Sequence, residues 1–304
     1  MITSEDLSFF LALANGHSLS DTARKLDVTP SAVTQRLNGL ERRLGIGLLD
    51  RSGRRMTLTN EGELLAEHAR RICGDIGVLT DALASRRENV AGHLRIVAPL
   101  GFGQRYVAPV IARFRRAHPE VRATLSLSDR PGSLADHSWD VMVHIGELRD
   151  STLVMHRLAR NGRYLCASPD YLKRHGTPQH PDELRQHDCI ALRENDEDVT
   201  RWRFRHRDGK VAALRIDPVL ASNDGSVVRD WALAGMGILV RSEWDVADLL
   251  KQGRLIELLP DWRLPDADVL ALVASRTERS ARTQHFLKFL HDLGHEAPWR
   301  SYSG

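Results

Sequence analysis

The sequence predicts an α + α/β chain: a small helical domain with a hairpin, then one long helix, then a larger region of alternating strands and helices. Three observations carry that prediction. Near the N-terminus a capped, basic helix follows a shorter one after a tight turn. Between Leu65 and Leu83 apolar residues recur at steps of four and three. From Leu94 onward, short apolar runs alternate with helical patterns. At 304 residues the chain is too long for one core of usual size, so two or three folding units are expected.

The elements follow in order. Leu7, Phe9, Phe10, Leu11 and Leu13 make a helical pattern that stops at Asn15-Gly16. Ser18 or Ser20 caps a second short helix through Ala23 and Leu26, and Asp27-Val28 turns the chain. Thr29 is then placed as N-cap, with Pro30 at the first helical position, where a missing N–H costs nothing. This third helix buries Val33, Leu37, Leu40 and Leu44, and Gly45 ends it. The pair forms a helix-turn-helix. Leu48 to Leu58 reads as a hairpin, a wing, with Arg51, Arg54 and Arg55 around its tip. Thr59 caps a long helix reaching roughly residue 89. Its stripe of Leu65, Ala69, Ile72, Ile76, Leu79 and Leu83 has coiled-coil spacing and points to a dimer partner.

Ala91-Gly92 breaks that helix. Strands are expected at Leu94–Val97, Val121–Leu127, Val141–Ile145, Tyr164–Ala167, Cys189–Leu192, Ile238–Val240 and Val269–Val273, with a last helix over Ala281–Leu293. Parallel sheets are the expected architecture. Arg201 to Arg207 interleaves basic and aromatic residues. Period two makes it a strand with Trp202 and Phe204 inward and arginines outward, in preference to a second nucleic-acid site.

Composition narrows the function. Hydrophobic residues at 42% and charged residues at 27% describe a globular protein rather than a disordered one. No apolar run is long enough to span a membrane, and the first residues lack a secretory pattern, so the cytoplasm is expected. The net charge of +3 is small, but eight basic residues face three acidic ones between Arg24 and Arg55. That is the footprint of a phosphate-binding surface. In a helix-turn-helix the second helix enters the major groove of double-stranded DNA. Thr29, Pro30, Ser31, Thr34, Gln35 and Arg36 lie in its first turns, where Gln35 suits adenine and Arg36 suits guanine or a phosphate. Arg51, Arg54 and Arg55 suit phosphates or the minor groove.

Enzymatic readings are weaker. Gly16-His17-Ser18-Leu19-Ser20 begins like a nucleophile elbow but has Ser20 in place of the second glycine. Gly101-Phe102-Gly103 hints at a phosphate loop, but Tyr106 stands at the third glycine position. Cys73, Cys166 and Cys189 are scattered without metal spacing and read as buried thiols, and no metal or cofactor is expected.

The stretch from Ala23 to Leu37, with Leu40-Glu41-Arg42-Arg43-Leu44-Gly45 and Leu58-Thr59-Asn60-Glu61-Gly62, resembles the signature of LysR-type transcriptional regulators. Ala98-Pro99-Leu100-Gly101-Phe102-Gly103, Ser222-Asn223-Asp224-Gly225 and Ala234-Gly235-Met236-Gly237-Ile238 resemble one branch. That branch includes regulators of dicarboxylate and hydroxy-acid breakdown and of aromatic catabolism. Three positions depart from the pattern: Leu49, where Phe is usual; Gly101, often a hydroxyl residue; and His144, commonly Arg in the branch. The resemblance implies a winged helix-turn-helix over 1–58, a dimerising linker over 59–91 and an effector domain over 92–304. That last domain would resemble periplasmic binding proteins, with subdomain I at about 92–162 and 268–293 and subdomain II at about 163–267. It also implies homodimers or homotetramers on an interrupted palindrome, and contact with RNA polymerase. The alternatives are a solute-binding protein of a transport system and an α/β enzyme.

The effector expected is a small organic anion, a carboxylate. After the strand Leu94–Val97 the chain turns at Leu100, Gly101, Phe102 and Gly103 into a helix, whose first N–H groups and dipole favour an anion. The two glycines would admit ligand to the backbone and Phe102 would wall the cleft. His144 and Gly146 close the third strand toward the same place. By resemblance, Asn223 and Asp224 face it from the second subdomain.

Overall fold

The computed structural model describes residues 2–16, 18–50, 56–85, 90–128, 139–147, 153–193, 199–273 and 280–301. The chain divides into two compact units, Met1–Arg87 and Glu88–Ala135 with Trp139–Gly304. In the first, α1 (Ser4–Ala14), α2 (Leu19–Leu26) and α3 (Pro30–Leu44) surround a core of Phe9, Phe10, Leu13, Val33, Leu37, Leu40 and Leu48. The helix ends are set locally. Thr3 and Asp6 form a capping box on α1, and Ser18 caps α2 through Asp21 N. Asp27 takes φ 55° to turn between α2 and α3, and Thr29 accepts from Ala32 N. Strands β1 (Leu49–Asp50) and β2 (Thr57–Leu58) pair antiparallel as the base of the hairpin. Its tip, with Arg51, Arg54 and Arg55, lies outside the described residues.

The long helix α4 (Asn60–Ser85) starts with Thr59 accepting from Gly62 N. Gly62 is needed there, because a Cβ would overlap the Leu48 carbonyl. Ala66 and Ala69 are buried and Leu65 packs on the same core, so Leu65, expected in the dimer stripe, belongs instead to the folding of this unit. Beyond it Ile72, Ile76 and Leu79 are exposed, Leu79 by 62%. The Leu83 side chain lies outside the description.

The second unit holds three sheets. One is ordered β4 (Val121–Leu127), β3 (Gly92–Ala98), β5 (Val141–Ile145), β15 (Val269–Val273), β6 (Val154–Ala159). Another is ordered β11 (Pro218–Ser222), β8 (Cys189–Leu192), β12 (Ile238–Ser242), β7 (Arg163–Ala167), β13 (Ile256–Glu257). The third is antiparallel, with β10 (Val211–Arg215), β9 (Arg201–His206) and β14 (Trp262–Arg263). The expectation of parallel sheets is corrected: β15 runs antiparallel to β5 and β6, and β7 antiparallel to β12 and β13. Strand β7 follows β6 of the first sheet and β15 follows β14 of the third, each with no helix between, so neither enters through the helical crossover that a parallel neighbour needs. Helices α6 (Ala108–Ala117) and α10 (Ala281–Glu296) cover the first sheet, joining its core through Val110, Phe114, Phe286 and Leu290. Helices α8 (Gly225–Leu233) and α9 (Glu243–Lys251) cover the second, through Val228, Ala232, Val246 and Leu250. No described helix is long and apolar enough to cross a membrane.

Candidate DNA-reading helix and effector cleft

Helix α3 presents Pro30, Ser31, Gln35 and Arg36 outward while Val33 and Leu37 are buried. Its polar side chains are not equally free. Ser31 bonds the Thr29 hydroxyl at 2.9 Å, and Thr34 donates to the Pro30 carbonyl of its own helix. Arg36, expected to project for base contact, lies back on α1. It donates to the Glu5 carbonyl at 3.1 Å, with its guanidinium 4.7 Å above the Phe9 ring. Gln35 remains exposed, with no side-chain hydrogen bond among the described residues. Glu41 accepts from Leu48 N at 2.8 Å and Arg43 pairs with Asp6 at 2.7 Å, so the back of α3 braces both the hairpin and α1.

In the second unit, the C-terminal ends of β3 and β5 share one sheet edge, since these strands are parallel neighbours. At that edge Leu100–Phe102 opens a helix, α5, that no side chain caps. Its first-turn amides have no intrahelical acceptor. It continues through a π turn, Gly103–Val107, into α6. Leu100 and Gly101 are half-buried, and α5 packs against α8, which covers the second sheet. His144 is buried, with Nε2 3.2 Å from the Glu147 carbonyl, and Gly146 has φ 104° beside the Arg163 guanidinium.

Two expected contacts are reassigned. Phe102 is fully buried, 5.0 Å from Tyr106, 5.4 Å from Trp244 and 5.6 Å from Trp299 between ring centroids, and walls no cleft. A Cβ on Gly103 would strike Leu127 and Ala98, so that glycine admits neighbouring side chains rather than a ligand. At Gly101 a Cβ would stand 3.1 Å from the buried Trp244 ring, so this glycine too makes room for a neighbouring side chain. Asn223 is exposed. Asp224 is the N-cap of α8, accepting from Ser226 N at 2.8 Å and from its hydroxyl, and that hydroxyl bond holds its carboxyl below the usual range.

Several residues were missed in the sequence. Gly225 lacks the Cβ that would overlap Arg241, whose buried guanidinium is paired with Asp245 at 2.7 Å beneath the start of α8. Asn161 is 1% exposed. It donates to the Ala267 carbonyl at 2.8 Å and accepts from Trp244 N, joining the two strand crossings to α9. Neither spacing nor composition marks it. Cys166 and Cys189 are buried on opposite faces of the second sheet, and burial pushes the Cys189 thiol up to about 12. Among the described residues no group of histidine, cysteine and carboxylate side chains has metal-binding geometry.

Residues 4–63 match the family model described as bacterial regulatory helix-turn-helix protein, lysR family, and residues 87–294 match the LysR substrate binding domain. The chain is 35% identical over 285 residues to the HTH-type transcriptional regulator DmlR of Escherichia coli, covering 94% of this chain and 92% of that one. It is 33% identical to the HTH-type transcriptional activator TtdR of the same species, with the same coverage. The full-length structure of AphB, the Vibrio cholerae virulence activator, aligns with TM-score 0.64 at 26% identity, over 96% of this chain and all of that one.

Proposed function

The chain belongs to the LysR family of bacterial transcription regulators, and we propose that it answers to a small carboxylate held between its two sensor subdomains. It is a DNA-binding regulator with an effector-binding domain, not an enzyme. In this reading it works in the cytoplasm as a homodimer or homotetramer on an interrupted palindrome, and communicates with RNA polymerase. Thr29, Pro30, Ser31 and Thr34 set the entry of α3 into the major groove and Gln35 reads a base edge. Arg36 holds the helix against α1, and Arg51, Arg54 and Arg55 take phosphates. The stripe Ile72, Ile76, Leu79 and Leu83 forms the dimer seam.

The observation that carries the carboxylate reading is the uncapped start of α5 at the same sheet edge as His144 and Gly146. The Leu100 and Gly101 amides offer donors at the positive end of a helical run. Arg163 adds a fixed cation beside Gly146, and His144 adds one that depends on protonation. Asn223 donates from the opposite side, while Asp224 acts through its cap rather than by contact. Resemblance to the branch concerned with hydroxy-acid breakdown makes malate and tartrate the first candidates.

Calorimetry of the full chain with a panel of carboxylates tests this. One binder is expected, weakened tenfold or more, about 1.4 kcal/mol, by Gly101→Val, whose added carbons would crowd the Trp244 ring and shift the Leu100 and Gly101 amides. His144→Ala should flatten the pH dependence of that binding. An effector held by both variants as tightly as by wild type would refute the pocket.

A further inference from the structure

The outer face of the third sheet is a grid of arginines. On the central strand β9, Arg201, Arg203 and Arg205 are exposed while Trp202 and Phe204 are buried. Arg215 of β10 stands directly opposite Arg201, and Arg263 of β14 directly opposite Arg205, so both share that face. Both are exposed. Cross-strand like charges oppose folding, yet Arg205 and Arg263 stand directly opposite one another. Among the described residues, Asp208 is engaged with His206 and Lys210, and Asp261 with Arg207. Among the described residues Arg201, Arg203, Arg205 and Arg263 have no acidic partner.

We propose that this face binds the phosphate backbone of double-stranded DNA, as a second, sequence-independent contact made by the sensor unit. Four features select that partner. Every cation of the grid is an arginine, whose planar fork suits paired oxygens better than a lysine ammonium does. The β9 arginines repeat at about 6.7 Å and cover about 13 Å, while duplex DNA carries a charge every ~1.7 Å of its axis. A single strand would require exposed rings for stacking, and the rings of β9 face the core. A protein partner would require aromatic or apolar anchors, and Val211 is the one large apolar side chain on the face among the described residues.

The proposal rests on the reading that the full chain binds DNA, and the test separates the two. Wild type and R203Q/R205Q/R263Q are titrated as full chains against a mixed-sequence 60-base-pair duplex (~60, long enough for flanking contacts) by fluorescence anisotropy from about 50 to 200 mM salt. Each lost phosphate contact removes about 0.9 from the slope of log affinity against log salt, so the glutamine variant should lose about 2.7 for each subunit whose face engages the duplex. R203K/R205K/R263K keeps the charge and should keep the slope. Melting temperatures of both variants at or above wild type show that they fold. An unchanged slope in the glutamine variant overturns the basic face alone, and if that variant also loses binding to poly-glutamate, the face serves an acidic polypeptide. No binding by wild type at low salt would overturn both readings.

Discussion

At the level of single residues, what is legible in the sequence is what acts over a few positions. Thr29, Pro30 and Gly45 declare the ends of α3 because capping involves only the adjacent turn. Arg36 is the counter-example: its identity suggests base contact, but Phe9 and the Glu5 carbonyl, distant in sequence, determine where it points. Asn161 was invisible for the same reason, since its partners at Trp244 and Ala267 come 83 and 106 positions later. Its amide is buried and two hydrogen bonds converge on it, so truncation leaves the Ala267 carbonyl and Trp244 N–H without this partner. Asn161→Ala should therefore cost on the order of 2–3 kcal/mol, read as a lower denaturation midpoint of the full chain. A midpoint equal to wild type would show that these bonds do not hold the crossing together.

Whole elements were legible when burial alone defined them. Val141–Ile145 and Val269–Val273 are nearly continuous apolar runs because both faces of each are covered. Strand β6 escaped notice because His156 and Arg157 interrupt its pattern, and its pairing comes from β15 alone. Strand direction was also hidden, since nothing in the residues of β15 or β7 records where the chain comes from. The α10 helix carries a pH response of its own. Burial, then the neighbouring His118 and Lys288, lower the His285 pKa. Burial, then His156 and His295, outweigh Asp292 and lower that of His291. Both histidines thus take up protons at lower pH in the folded state than in the unfolded chain, which does so near the ordinary value of about 6.5. Their contribution to stability is complete above that value and falls away as pH drops through it toward the lowered values. The melting temperature should decline from about pH 7 to about pH 5, and decline less in H285Q/H291Q. Parallel declines in the two proteins would exclude these side chains as the source.

For the molecule as a whole, α4 leaves Ile72, Ile76 and Leu79 in water on a single-chain structure, on one stripe at coiled-coil spacing. Covering that stripe with a second copy is the simplest way to remove it from solvent. Leu79→Asp would place a charge in the seam, where desolvation without a partner is costly. Sedimentation should then show a smaller species, with operator affinity lost because half-site spacing depends on the dimer. A variant that sediments like wild type would mean that the chain assembles elsewhere. The order β4-β3-β5-β15-β6 has a different consequence, one that concerns time during synthesis. Strand β6 ends at Ala159, but β15, the strand that joins it to β5 among the described residues, ends at Val273. At roughly 5–20 residues per second the ribosome takes about 6–23 s to deliver that stretch. Throughout that interval β5 presents an open edge and β6 has no neighbour, whereas the second sheet, β7 to β13, has all its strands once Glu257 is made, 16 residues before Val273. The nascent chain therefore completes the strands of its second sheet before those of its first.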